Sequence, residues 1–198
     1  MSSSSDDQFE IDMSQLGWLD ANMCAPLGAV LQKLLQEGRH IEIFGVAGWP
    51  KTIMQKNGFL FQFGWERMRD RHETTIEYRR FLRREKEPFQ DYIIDHFRHG
   101  SRGLPEMSDA LLKAFRRSLF ELYNNTVDHS ESEYGIFACG QFYPRGNRLD
   151  FSIADLGIGI RERIRRDLGK NMNATDAINW AMEGNTTKSG KRPGRIGT

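Results

Sequence analysis

The sequence predicts a mixed α/β (α+β) fold built as a small N-terminal α/β unit followed by an α/β sandwich. Three observations carry this expectation. Residues 9–63 alternate strand-like and helix-like patterns five times in under 60 positions. From Pro105 onward a long amphipathic stretch precedes two alternating segments joined by a turn. The composition is 38% hydrophobic and 28% charged, which lets a chain of 198 residues bury a core.

The elements follow in order. Residues 1–8 read as a disordered polar tail. Phe9-Glu10-Ile11-Asp12-Met13 alternates as a strand does. Residues 22–37 carry Leu27, Val30, Leu31, Leu34 and Leu35 at helical spacing, with Asp20 and Asn22 as caps and Gly38 as the stop. His40 to Phe44 is a second strand, a short helix begins at Pro50, and Asn57-Gly58 turns into a third strand over 59–63. Residues 65–103 are dense in charges of both signs and rich in aromatics, which predicts a structured connector. It holds an edge strand over 74–78 and a helix over 88–99. Residues 104–198 form the second domain. Its long helix has Leu111, Phe115, Leu119 and Leu122 as the core stripe, and strands over 135–143 and 148–154 form a hairpin across Pro144-Arg145-Gly146-Asn147. A basic helix follows Ile160, Asn173 caps another helix, and 183–198 has no apolar period.

Charge and leader patterns exclude some classes. A net charge of +1 exerts no global pull on nucleic acid or on a membrane. Met1–Ser5 lacks the basic and apolar regions of a signal peptide, and no apolar run is long enough to span a bilayer. Cys24 and Cys139 stand far apart in apolar surroundings, so two buried free thiols of a cytoplasmic protein are expected, with neither a disulfide nor a zinc site. The four tryptophans are expected in the core or at a domain interface, and the basic run 161–166 on a solvated helix face.

Three constellations can carry chemistry. Glu121, Asn125 and Asp128 share one stripe of the long helix, where an acid and an amide one turn apart suit a hydrated Mg²⁺. The same triplet also fits an ordinary polar helix face. Asp155-Leu156-Gly157-Ile158-Gly159-Ile160 delivers a carboxylate at a strand end, with glycines that let backbone approach a ligand; an ordinary strand-to-helix turn would look alike. Gly184 to Gly197 combines glycines, hydroxyls and basic side chains suited to a polyphosphate, or to a basic tail.

In order and spacing these three resemble the N, G1 and G2 boxes of the GHKL ATPases. That family includes sensor histidine kinases, anti-sigma-factor serine kinases, gyrase-type topoisomerases, MutL-type repair proteins and heat-shock chaperones. Residues 121–129 match the N box and 155–160 the G1 box. The resemblance implies a Bergerat-type sandwich binding ATP and Mg²⁺. Asn125 would ligate the metal, with Glu121 as general base or metal-shell acid. Asp155 would hold the adenine amine, while Gly157, Gly159 and Ile160 would shape the adenine wall. Asp128 would lie near the nucleotide, Thr186, Thr187 and Lys188 in the lid, and Gly194 and Gly197 in the G2 turn. The family's G2 box continues into a helix and strands, whereas this sequence stops at Thr198, so the phosphate half is expected to be incomplete.

Residues 9–64 resemble a STAS domain, the anti-sigma-antagonist fold, through Asp20-Ala21-Asn22-Met23 and Gly45-Val46-Ala47-Gly48-Trp49. The family's phosphorylatable serine is replaced by Ala21 and Asn22, so a docking role is expected there. Together the resemblances imply an ATP-binding regulatory protein, either a protein serine kinase or a non-catalytic module that reports nucleotide state. A protein partner is expected, a homodimer is allowed, and nucleic acid and membrane are not expected. A vestigial nucleotide site is the third reading.

Overall fold

A computed structural model describes residues 7–100, 104, 106–185 and 187. Thr186, Lys188, Gly194 and Gly197 therefore lie outside the described residues. The elements form a mixed α/β architecture with two sheets. Strands β1 (Gln8–Asp12) and β2 (His40–Phe44) pair in parallel, with Phe9 opposite Ile41 and Ile11 opposite Ile43. Parallel neighbours need a crossover, and α1 (Cys24–Gln36) supplies it. Ile41 and Ile43 are buried between the exposed His40, Glu42 and Phe44, so the alternation read in the sequence is real.

The start of α1 differs from expectation. Asp20 and Asn22 do not cap it; a short 3-10 turn over Ala21–Met23 precedes it. The Tyr143 hydroxyl donates to Asp20 at 2.6 Å, and the Asn22 amide donates to Ser152 Oγ at 3.0 Å. Both side chains are diverted to tertiary partners across the sheet.

Helix α2 (Gly48–Lys56) follows β2. The strand expected over 59–63 is instead a 3-10 helix over Leu60–Phe63. Asn57 and Gly58 are buried, as are Phe59 and Leu60, while Phe61 and Gln62 are exposed. That burial pattern has no period of two. Gly58 at φ +82° and Gly64 at φ +83° turn the chain at both ends, and the Asn57 side chain accepts from the Phe59 amide at 2.9 Å.

The main sheet is antiparallel, with β3 (Thr75–Phe81) beside β4 (Ile136–Tyr143) and β4 beside β5 (Arg148–Asp155). The segment expected as a connector thus provides an edge strand of this sheet, followed by α3 (Lys86–His96). Strand β4 is buried at seven of its eight positions because both of its faces are covered. On one face Phe137 and Cys139, with Tyr78 of β3, join the core of α1, α2 and β2. On the other, Ile136, Ala138 and Phe142 pack with α3 and α4 (Asp109–His129). One apolar cluster runs from Met13 to Cys139 and so draws on residues from both sides of the expected boundary at residue 64.

Ser108 caps α4 by accepting from the Leu111 amide. Its buried stripe is Leu112, Leu119, Tyr123 and Val127. Leu111 and Leu122, expected in the core, are each 56% exposed. The helix is rotated from the expected face because Tyr123 stacks on Phe89 of α3 at 3.9 Å and donates its hydroxyl to the Leu82 and Glu85 carbonyls. The β4–β5 hairpin turns through Pro144–Gly146 and Asn147, the latter in the left-handed region at φ 45°. Helices α5 (Gly159–Leu168) and α6 (Ala174–Met182) complete the described chain, and Asn173 caps α6 through the Asp176 amide. Trp18, expected in the core or at a domain interface, is 57% exposed and stacks on Trp49 at 5.3 Å. No helix among the described residues is long and apolar enough to cross a membrane.

Candidate functional site

The end of the helix that carries the first constellation meets the loop that carries the second. Helix α4 ends at His129, and its cap residue Ser130 is buried. The loop that leaves β5 passes directly beneath it: the Ile158 amide donates to the Ser130 carbonyl at 2.8 Å. A Cβ built on Gly157 would fall 1.9 Å from that same oxygen. Gly157 is therefore required here by space, since any side chain would push the loop off the end of α4. Asp155 accepts from the Gly157 amide at 2.7 Å through Oδ1, which closes the loop locally. Its Oδ2 makes no hydrogen bond among the described residues. Gly159 opens α5 at φ +70° with open space around it, and Ile160 is 46% exposed.

Strand alternation places Leu149, Phe151, Ile153 and Asp155 on the face of β5 that looks toward α4. The first three meet Phe115, Leu119, Leu122 and Thr126 of α4 across an open apolar groove of about 350 Å³. Asp155 stands at the end of that row. The groove itself is lined by apolar side chains and Thr126, which suits the faces of a flat heterocycle, while Asp155 lies further along the strand, outside the lining.

The polar triplet Glu121, Asn125 and Asp128 lies on the exposed side of α4. Glu121 and Asn125 are exposed, and the Glu121 carboxylate takes a hydrogen bond from Arg117 Nε at 2.9 Å. Asp128 is exposed and His129 half-buried. Among the described residues no cluster of three or more histidine, cysteine or acidic side chains could hold a metal. By type alone, the Glu121 carboxylate and the Asn125 amide oxygen are ligands that Mg²⁺ accepts. A carboxylate and an amide oxygen one helical turn apart satisfy an ion that keeps most of its waters and takes its other ligands from phosphate. Of the lid residues only Thr187 is described, half-buried just beyond α6.

Sequence reading missed the groove itself and the clamp that holds its corner. Glu131, just past α4, adopts φ 56°, which costs about 1 kcal/mol or more for a residue with a side chain. Arg166 donates to it at 2.7 Å and Arg163 also pairs with it. Hydrogen bonding from Arg166 holds the Glu131 carboxyl down to about 2, burial opposing and the charges of both arginines assisting. Arg163 further pairs with Asp167, and Arg165 with Glu162. The basic run is thus largely spent on internal acids that pin α5 against the end of α4. Its one legible signal was Glu131 standing three residues beyond Asp128.

Comparison with known protein families, with curated proteins and with solved structures returns no match.

Proposed function

We propose that this chain is an ATP-binding regulatory protein of the GHKL type, with adenine seated in the groove between α4 and β5. One observation carries the reading: the β5 row of Leu149, Phe151 and Ile153 ends in Asp155, whose Oδ2 makes no hydrogen bond among the described residues, while Gly157 is pressed against the end of α4. In this reading Asp155 accepts the adenine amine, and Gly157 and Gly159 let the backbone pass close to the ring. Asn125 and Glu121 hold Mg²⁺, which would neutralise developing phosphate charge when bound. Thr187, with Thr186 and Lys188, serves the phosphates. The N-terminal layer is proposed as STAS-like and as the surface that meets a protein partner.

Titration calorimetry of the full chain with Mg-ATP tests this. The wild type is expected to bind. Asp155→Asn, which places a donor where an acceptor is needed, is expected to bind about 10- to 100-fold more weakly. Absence of any binding heat for the wild type, or equal affinity in the variant, would overturn the assignment.

A second reading, in which nucleotide is bound but not consumed, is favoured by the Arg117–Glu121 ion pair. It turns the candidate base toward a neighbouring cation on an exposed helix face, 58% of the Glu121 side chain being accessible. Incubation with radiolabelled ATP separates the readings: release or transfer of phosphate supports a kinase or ATPase, and its absence alongside measured binding supports the module.

A further inference from the structure

The two cysteines, 115 positions apart in sequence (139 minus 24), meet in the core. Cys24 is the first residue of α1 and Cys139 lies in the middle of β4; both are 0% exposed. A single amide joins them, since Asn57 Nδ2 stands 3.3 Å from each sulfur. Asn57 is itself fully buried and cannot drift. Its side-chain oxygen accepts from the Phe59 amide at 2.9 Å, and its carbonyl accepts from the Tyr78 amide at 2.8 Å. The Cys139 thiol also reaches the Ile76 carbonyl at 3.4 Å. Burial, then hydrogen bonding with the Cys24 thiol, pushes the Cys139 thiol well above its ordinary range, so its sulfur rests protonated beside the shared Asn57 amide.

We infer that Cys24 and Cys139 are a redox-convertible pair whose oxidation staples α1 to β4 and locks the N-terminal layer onto the main sheet. The inference is independent of the nucleotide reading. Conversion needs a small two-electron thiol oxidant, of which a diazene is the simplest. One thiolate adds to the N=N bond. The second thiolate then attacks the first sulfur, forming the S–S bond and expelling the reduced hydrazine with two electrons and both thiol protons. Because the pair is sealed, the reaction waits on transient lifting of α1 from the sheet, and is slow in native conditions. A staple closing so long a loop stabilises the fold by restricting the unfolded chain.

The test uses the full reduced chain and diamide. The expected product has lost two hydrogens by intact mass, is monomeric, resists alkylation in denaturant, and melts about 5–15 °C higher until dithiothreitol restores the starting value. Cys24→Ser and Cys139→Ser are expected to keep one alkylatable thiol and to show no rise in melting temperature. Wild-type protein that keeps both thiols alkylatable after prolonged exposure would overturn the inference. Products that are only intermolecular or mixed disulfides, or an intramolecular disulfide that lowers the melting temperature, would do the same. The wild-type readout stands even if a serine variant fails to fold.

Discussion

Gly157→Ala isolates the contact that builds the candidate site. The new methyl would fall 1.9 Å from the Ser130 carbonyl oxygen, 2.4 Å from its carbon and 2.6 Å from Ser130 Cβ. Two of those three atoms are backbone at the end of α4, so no side-chain rotation relieves the overlap. The loop must move away, which breaks the 2.8 Å bond from the Ile158 amide and disturbs the 2.7 Å bond from the Gly157 amide to Asp155. Overpacking of this kind costs about 1–3 kcal/mol and a lost backbone hydrogen bond about 1 kcal/mol more. A destabilisation of about 3 kcal/mol is expected, which for a chain of this size lowers the melting temperature by about 6–12 °C. Gly159→Ala is the control. It has open space but φ +70°, so it suffers only backbone strain of about 1–2 kcal/mol. Urea unfolding of the two variants beside wild type, at matched m-values, measures both. A Gly157→Ala protein within about 0.5 kcal/mol of wild type, or less damaged than Gly159→Ala, would refute the reasoning.

Asp70 should show a pH-dependent contribution. Its carboxylate accepts from the Thr74 amide, the Thr75 amide and the Thr75 hydroxyl, each at 2.8 Å, and pairs with Lys56 at 3.5 Å. Burial works to raise its carboxyl, but the Thr75 amide and hydroxyl, the His72 amide and Lys56 hold it below the usual range. A depressed folded value means stability present above the unfolded value, near 4, and lost as pH falls through the folded one. Asp70→Asn is therefore expected to cost about 2 kcal/mol at neutral pH, with the gap to wild type closing in acid. A gap constant down to strongly acidic pH would count against the ion-centred turn. Tyr123→Phe removes the hydroxyl that serves the Leu82 and Glu85 carbonyls, at an expected cost of about 1 kcal/mol in urea unfolding. The wild-type phenol should titrate at about 12, raised by burial and then by Glu85; titration at the ordinary tyrosine value would show the ring to be more exposed than described.

Local pattern made several elements legible. The alternation of Ile41 and Ile43, the turn chemistry around Asn147 and the Asn173 cap are near-neighbour effects, and each appears where its residues predict it. The co-location of the α4 end with the Asp155 loop was not legible, because Ser130 and residues 157–158 carry no local signal that they touch. What failed did so for tertiary reasons. Leu122 has helical spacing suited to a core, yet the Phe89–Tyr123 stack sets the rotation of α4 and leaves Leu122 to line a groove. Residues 59–63 have the apolar content of a strand but find no neighbouring strand, and glycines at both ends coil them. Asp20 is a good cap by type, but Tyr143 reaches it from across the sheet. The sequence by itself determined the element types wherever a period or a cap was strong, and it named Asp155, Gly157 and Asn125 as residues worth testing. Only the tertiary structure decided which face of α4 is buried, that one core spans both halves, and that Cys24 and Cys139 share Asn57. Those outcomes depend on contacts between residues distant in sequence, whose energies no local window contains.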